Sequence, residues 1–424
     1  MVKPIIKCIS ILTVMFFVIL FATSKSLAKN KDASIEWFRD AGFGLFIHWG
    51  PVSQIGKEIS WPLVGASKEF RDKYFSLYKT FNPTKFNPKE WARLAKQAGM
   101  RYVVFTTQHF NGFNMFDTAL SNYNIMNTPY GKDISAQLAK AFRDEGIAIG
   151  WYYGVENWHY YYETGAPEIN GRYNSTQDLK KFKKPYGMQN LTLLEYELEQ
   201  MKELLTKYGD IDVMWYDHSA KSAEPLKKRV WELKPDVVIV RSEIPTPEQR
   251  IPKAPIKGAW ETCMTMGRQW SYKPNDNYKS AVALIDNLVK IRAGGGNYLL
   301  NIGPKPNGEL PAPQVELLKK LGSWNAINGE AIHGVRAWIT TNEDNIWFTK
   351  KRDANILYAI ALEWPGKQLT IKSLRDTKVL SVKMLGLNKE MKWQQSKEGL
   401  VIETSDERPS KYAYTFKIEY EYLD

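Results

Sequence analysis

Polar side chains with chemical potential recur just past short apolar runs. His48 follows "FGLFI", His109 follows "RYVVFTTQ", and Tyr152 and Tyr153 end "IAIGWYY". Asp217, followed by His218, ends "DVMWYD". Arg241 follows "VVIV", Trp260 and Glu261 open "WETCMT", and Asn301 closes "NYLLN". All five histidines lie in or beside such segments or in the turn "GEAIHG", and none falls on a solvated helix face. A single histidine of this kind is as readily a hydrogen-bonded buried residue as a catalytic one.

Missing motifs narrow the chemistry. No HExxH and no close Cys/His spacing speaks for a metal, and none is expected. Cys263, one thiol on a strand, is a poor nucleophile. There is no GxSxG elbow. "AGGGNY" ends a helix and lacks the lysine of a phosphate loop and the strand-glycine-helix order of a dinucleotide site.

Carboxylates remain. Asp217 stands behind two aromatic residues at a strand end, where a lone Asp also serves as a helix N-cap. Glu243, Glu248 and Glu261 lie past the following two strands. Paired carboxylates amid Trp and Tyr are what a glycosidase needs: one attacks the anomeric carbon and the other protonates the leaving oxygen. Flat aromatic faces bind the C–H faces of a sugar, and neutral polar groups bind its hydroxyls.

The elements that must position these groups alternate. From about residue 40 to 330, the apolar runs "FGLFIHWG", "RYVVFTTQHF", "IAIGWYYG", "DVMWYD", "VVIVR", "GAWETCMT" and "NYLLNIGP" read as strands buried on both faces. Between them lie helical patterns such as "PKEWARLAKQAG", with Pro near its start and Gly at its end. The alternation predicts a parallel sheet, and its length fits a (β/α)₈-type TIM barrel. The last ninety or so residues carry short β-rich runs with turn signals between them, which predicts an antiparallel β-sandwich. The expected divisions are a targeting segment over 1–28, the barrel over 29–335 and the sandwich over 336–424. The long polar and aromatic stretch 157–190 is expected to be a functional loop.

Bulk properties agree with a folded globular chain. The 424 residues are 44% hydrophobic, 25% charged and 13% aromatic, which excludes disorder. "MVKPIIK", the apolar "ISILTVMFFVILFA" and "SLA" before Lys29 read as a signal peptide, so the chain is expected to be exported to the periplasm or secreted, with no membrane attachment after cleavage. Without it, Cys263 has no disulfide partner. Loss of Lys3, Lys7 and Lys25 with that segment lowers the net charge from +12 to about +9. A solvated basic surface explains that charge; attraction to an acidic, sulfated polysaccharide is the functional alternative. No arginine-rich stripe or nucleic-acid module is present, so nucleic acid is not an expected partner.

From about Trp37 to Trp338 the chain resembles glycoside hydrolase family 29, the α-L-fucosidases. The resemblance rests on "WFRDAGFGLFIHWGP", "FNPKEWARLAKQAGMRYVVFTTQHFNGF", "DVMWYD", "WETCMT…WSY" and "NYLLNIGPKPNGEL…LGSWNAINGEAIHG", which recur in the family's order. It implies a (β/α)₈-like barrel followed by a β-sandwich. It also implies retaining hydrolysis of terminal α-L-fucosides on oligosaccharides or polysaccharides, without a cofactor. Asp217 matches the family nucleophile. Glu248 in "PTPEQRIP" sits where many members carry the acid/base; Glu261 is its rival and Glu243 a more distant one.

By the same resemblance His48 and His109 correspond to hydroxyl-binding histidines, and Tyr153, Trp215 and Arg241 to further pocket residues. Trp61 matches a pocket tryptophan, and Trp260 and Trp270 are candidate walls. Two departures stand out. Ser60-Trp61-Pro62 replaces a frequent Glu-Trp-Tyr, with Glu58 nearby as a candidate substitute carboxylate. His109-Phe110 replaces a usual pair of histidines. These changes leave open a shifted glycone specificity, such as L-galactose, and a non-catalytic carbohydrate-binding protein.

Overall fold

The computed structural model describes residues 29–165, 168–169, 172–173, 191–217, 220–254, 256–404 and 406–422. The expected signal peptide, His218 and most of the 157–190 loop lie outside them.

Each of the seven apolar runs forms a strand of one parallel sheet. In chain order these are β1 (Phe43–Ile47), β2 (Tyr102–Gln108), β3 (Ala148–Gly154), β6 (Val213–Asp217), β7 (Val238–Val240), β8 (Glu261–Thr265) and β9 (Asn297–Ile302). A two-stranded ribbon, β4 (Glu168–Ile169) and β5 (Arg172–Tyr173), stands apart. The order across the parallel sheet is β7-β6-β3-β2-β1-β9-β8. The stretch from Ile244 to Gln249 spans the gap between β7 and β8. It bridges Val240 through Ile244 and Cys263 through Glu248. Pro245 and Pro247 accept from the amides of Glu261 and Cys263 at 3.0 and 3.3 Å. Prolines offer carbonyls but no N–H, so this eighth stave is irregular.

Helices cover the sheet: α1 (Asp32–Ala41), α2 (Lys68–Ser76), α3 (Pro88–Ala98), α4 (Ile134–Asp144), α5 (Trp158–Thr164), α6 (Leu193–Thr206), α7 (Ala220–Leu233), α8 (Ala281–Ala293) and α9 (Ala312–Asn328). The expected helical signals operate in α3. Asn87 caps the amide of Glu90, Pro88 takes the first turn, and Trp91, Ala92, Leu94, Ala95 and Ala98 are buried. Among the described residues no helix is long and apolar enough to cross a membrane.

Side-chain alternation divides the barrel into two layers. Phe46, Tyr102, Val104, Tyr152, Val213, Trp215, Val240, Cys263 and Leu299 form the inner cluster. Leu45, Phe105, Trp151, Tyr153, Met214, Tyr216 and Leu300 belong to the outer one, under the helices. Gly44 makes the inner layer possible: a Cβ there would stand 2.4 Å from the Tyr102 ring.

The remaining strands are antiparallel. β10 (Val335–Glu343), β11 (Ile346–Lys351), β12 (Ile356–Ala361), β17 (Tyr414–Tyr422) and β14 (Thr377–Met384) form one sheet in that order. β13 (Gln368–Ile371), β16 (Gly399–Glu403) and β15 (Trp393–Ser396) form a second. Phe348, Leu357, Ile371, Val382, Ile402 and Phe416 pack between them. Arg336 ties this part to α1 through Glu36 and Asp40, and Trp324 Nε1 donates to the carbonyl of Ala413 at 2.8 Å.

Candidate active site

The C-terminal ends of the strands enclose a cavity of about 150 Å³, lined by residues from β1, β3, β6 and β8 and from the loops after β1, β2, β7 and β8. Two buried histidines stand at its wall with opposite hydrogen-bonding character. His48 Nδ1 lies 2.7 Å from Asn301 Oδ1, and Asn301 Nδ2 donates to the carbonyl of Trp270 at 2.7 Å. The amide orientation makes Oδ1 an acceptor, so His48 carries its proton on Nδ1 and keeps a lone pair on Nε2. His109 is arranged the other way. Its Nδ1 accepts from the amide of Phe110 at 2.9 Å and lies 2.7 Å from Ser60 Oγ, which itself accepts from the amide of Asn111. The His109 proton therefore sits on Nε2. Burial pushes the pKa of His48 down to about 3 and holds that of His109 well below the usual range. Two neutral rings 5.8 Å apart thus offer an acceptor and a donor, the complement of adjacent sugar hydroxyls.

Asp217 and Glu248 share one guanidinium. Arg241 Nε lies 3.0 Å from Asp217 Oδ1 and its Nη1 lies 3.1 Å from Glu248 Oε2. Tyr152 donates to Asp217 Oδ2 at 2.8 Å. Burial, then the Asp217 charge, raises the Tyr152 phenol well above its usual range, so it stays a donor. Donors at both oxygens are the surroundings of an ionised Asp217. The Arg241 guanidinium also lies over the Trp215 ring, 5.0 Å from its centroid. Arg241, Gln249 beside Glu248, and Ser60 all adopt positive φ, at 67°, 54° and 66°. Such non-glycine backbone costs about 1–3 kcal/mol per residue and gathers where geometry is imposed by the surroundings.

The cavity floor is aromatic. Phe46 packs on Trp215 at 5.2 Å and on Trp270 at 5.9 Å between centroids, and Tyr152 stacks on both Trp215 and His109. Trp61, 48% exposed, stands at the mouth edge-on to Phe110. Glu58 grips the amides of Trp270 and Ser271 at 2.8 and 3.4 Å, and so braces the Trp270 wall.

His48, Trp61, His109, Trp215, Asp217, Arg241, Glu248 and Trp270 therefore meet around one cavity. Three expected residues stand elsewhere. Tyr153 points outward and donates to Gln200 Oε1 at 2.6 Å; its neighbour Tyr152 occupies the inner layer in its place. Trp260 precedes β8 and donates to the carbonyl of Gly294 in the outer layer. Glu261 begins β8, so it lies at the barrel's opposite end. There it accepts from Tyr102 and, at 2.9 Å, from Trp215 Nε1. Burial raises its pKa to about 7, but the residue lies beneath the floor and does not line this cavity. Glu243 pairs with Lys227, and Glu58 serves backbone amides instead of replacing a pocket carboxylate. Reading past the strand ends singled out Tyr152 and Asn301 without assigning them roles. It missed Phe46; Ser60 stands out in the sequence only as a departure from the family's pattern, and no sequence signal marks it as the partner of a histidine 49 residues away. Among the described residues no group of three or more His, Cys, Asp or Glu is placed to hold a metal.

The geometry has close counterparts. The family model for alpha-L-fucosidase matches residues 21–330, and that for the alpha-L-fucosidase C-terminal domain matches 340–419. The plasma alpha-L-fucosidase of Rattus norvegicus is 27% identical over 436 residues, covering 90% of each chain. The tissue alpha-L-fucosidase of Homo sapiens is 28% identical over 436 residues, covering 90% of this chain and 88% of its own. Among solved structures, alpha-L-fucosidase isoenzyme 1 from Paenibacillus thiaminolyticus superimposes with a TM-score of 0.80 at 30% identity, over 92% of this chain and 99% of the other. The Thermotoga maritima alpha-fucosidase in complex with a mechanism-based inhibitor does so at 0.75 and 27%, over 92% and 100%. With a barrel, a C-terminal sandwich and a carboxylate-bearing pocket on the page, these matches place the chain in glycoside hydrolase family 29, the α-L-fucosidases.

Proposed function

We propose that the chain is an exported, retaining exo-α-L-fucosidase with Asp217 as nucleophile and Glu248 as acid/base. The observation that carries this is the pair of carboxylates held by one guanidinium at the edge of a cavity of about 150 Å³, roomy enough for one sugar. Retention needs two carboxyl groups about 5–5.5 Å apart. In the first step Asp217 attacks the anomeric carbon while Glu248 gives its proton to the leaving oxygen. In the second, Glu248 takes a proton from water, which attacks the same carbon and releases Asp217.

The aromatic floor supports fucose over L-galactose. A terminal methyl fits among Phe46, Trp215 and Trp270, whereas the hydroxymethyl of L-galactose would bury a hydroxyl against rings. The N-terminal sequence supports export, and the surplus of basic residues supports glycans on acidic, sulfated polysaccharides as substrates. N-terminal sequencing of the protein from the periplasm or medium tests the export.

Azide rescue tests the assignment. Asp217→Ala abolishes turnover. Glu248→Ala loses mainly poor leaving groups, and azide restores its turnover with a glycosyl azide of retained configuration. Rescue in a Glu261 variant in place of Glu248→Ala refutes the assignment.

A further inference from the structure

The wall that carries Phe110 is apolar, and it adjoins His109 on one side and the mouth at Trp61 on the other. Phe110 lies over Gly154, where a Cβ would come within 3.0 Å of its ring, and Gly154 is in register with Asp217 on β6. Phe110 therefore flanks the reacting end of the pocket. Its ring stacks on Trp158 at 5.6 Å and meets Trp61 edge-on at 5.8 Å. Polar atoms of Trp158 and Asn111 beside it are engaged. Trp158 donates its indole N–H to Glu156 Oε2 at 2.8 Å. Asn111 donates to the Tyr74 hydroxyl at 3.1 Å and accepts from the amide of Phe113 at 3.2 Å. Two other rings with an N–H border this wall: His109, 4.8 Å from Phe110, which supplies the donor of the histidine pair, and Trp61, which stands at the open mouth.

The order of groups around the barrel orients the sugar. A pyranose with C1 at Asp217 has C2 on one side and the ring oxygen and C5 on the other. Its C5 methyl is a dead-end apolar group and belongs in the niche of Phe46, Trp215 and Trp270, of which Phe46 and Trp215 are 1% and 2% exposed. The two histidines then face O3 and O4, in keeping with their donor and acceptor atoms. That leaves O2 against Phe110, with the pocket opening to solvent beside it at Trp61.

Resting on the fucosidase reading, we infer that the Phe110–Trp61–Trp158 corner is a subsite for a 2-O-alkylated fucosyl residue, a terminal sugar whose O2 carries a methyl group. Such an oxygen has no proton to donate and meets a wall that asks for none. A sulfate at O2 is the opposite case: it would be desolvated against three rings, with the Glu156 carboxylate behind them.

Calorimetric binding of a fucose-configured iminosugar and its 2-O-methyl derivative tests this without depending on turnover. The wild-type protein is expected to bind the two within tenfold of each other. Phe110→His, which restores a polar group at that wall, is expected to weaken the methylated ligand at least tenfold relative to its parent. Phe110→Leu keeps the wild-type ratio and controls for folding. A wild-type preference above tenfold for the unmethylated ligand, or an unchanged ratio in Phe110→His, overturns the proposal. Hydrolysis of an aryl α-L-fucoside is followed in parallel. Binding of the parent without hydrolysis counts against the catalytic reading alone, and no binding of the parent removes the glycone reading on which the subsite rests.

Discussion

Replacing Glu261 with glutamine separates a structural role from a catalytic one. Glu261 is fully buried, accepts from Tyr102 and Trp215, and has a pKa raised by burial from 4.5 to about 7. Between those two pH values the folded protein holds a proton that the unfolded chain has released. Stability contributed by this group is therefore present below pH 4.5 and falls as pH rises toward 7. At 1.36 kcal/mol per unit, the penalty levels off at about 3 kcal/mol above pH 7.

Glutamine carries no charge at any pH, and its carbonyl and amide can still meet the Trp215 indole and the Tyr102 hydroxyl. Glu261→Gln should match the wild type near pH 4.5 and exceed it by about 3 kcal/mol at pH 8. Urea unfolding at several pH values measures this difference. The buried neutral histidines titrate in both proteins and cancel from the comparison. Turnover of aryl fucosides should stay within a few-fold of wild type over a series of leaving groups, with no response to azide. A stability difference that does not vary with pH refutes the electrostatic reasoning. Azide rescue, or a steep dependence on leaving group in Glu261→Gln, returns the acid/base role to Glu261.

Tyr152→Phe removes a hydrogen bond to a charged acceptor, worth about 1.5–3 kcal/mol, so kcat/KM should fall roughly 10- to 150-fold. Tyr153→Phe should leave kcat/KM nearly unchanged and cost about 1 kcal/mol of stability, because Gln200 Oε1 loses its donor; equal losses in both variants contradict the layering of β3. Burial keeps His48 neutral down to about pH 3, so KM should be level from pH 4 to 7 with no inflection at the ordinary imidazole value. The same depression means that stability present above pH 6.5 is lost as pH falls toward 3, because the unfolded chain takes up the proton first. Glu58→Ala frees the amides of Trp270 and Ser271, so KM should rise severalfold with a smaller change in kcat, and Glu58→Gln should recover part of the loss. A fall in kcat at constant KM would contradict a positioning role.

Much of the architecture is written in local pattern. Seven apolar runs bounded by helical stretches specify a parallel sheet with helices on it, because strands covered on both faces carry few polar residues. The shift to short β-rich runs after "GEAIHG" specifies the antiparallel sheets. The residues past the strand ends come together because parallel strands in one barrel all finish on the same side.

That same covering of both faces hides which face is which. "IAIGWYYG" offers adjacent tyrosines with no polar residue to mark the interior, so only the register of β3 with β2 and β6 sends Tyr152 to Asp217 and Tyr153 to Gln200. Glu261 and Trp260 mislead for a related reason: they lie at the start of a strand, and only the parallel direction of β8 shows that this is the end away from the cavity. The proline-broken stave from Ile244 to Gln249 has no strand pattern to read, yet it closes the barrel and delivers Glu248 to Arg241. Local sequence specifies elements through propensity and periodicity. Inward and outward faces, and contacts such as Ser60 with His109, come from packing partners distant in the chain and exist only once the barrel has closed.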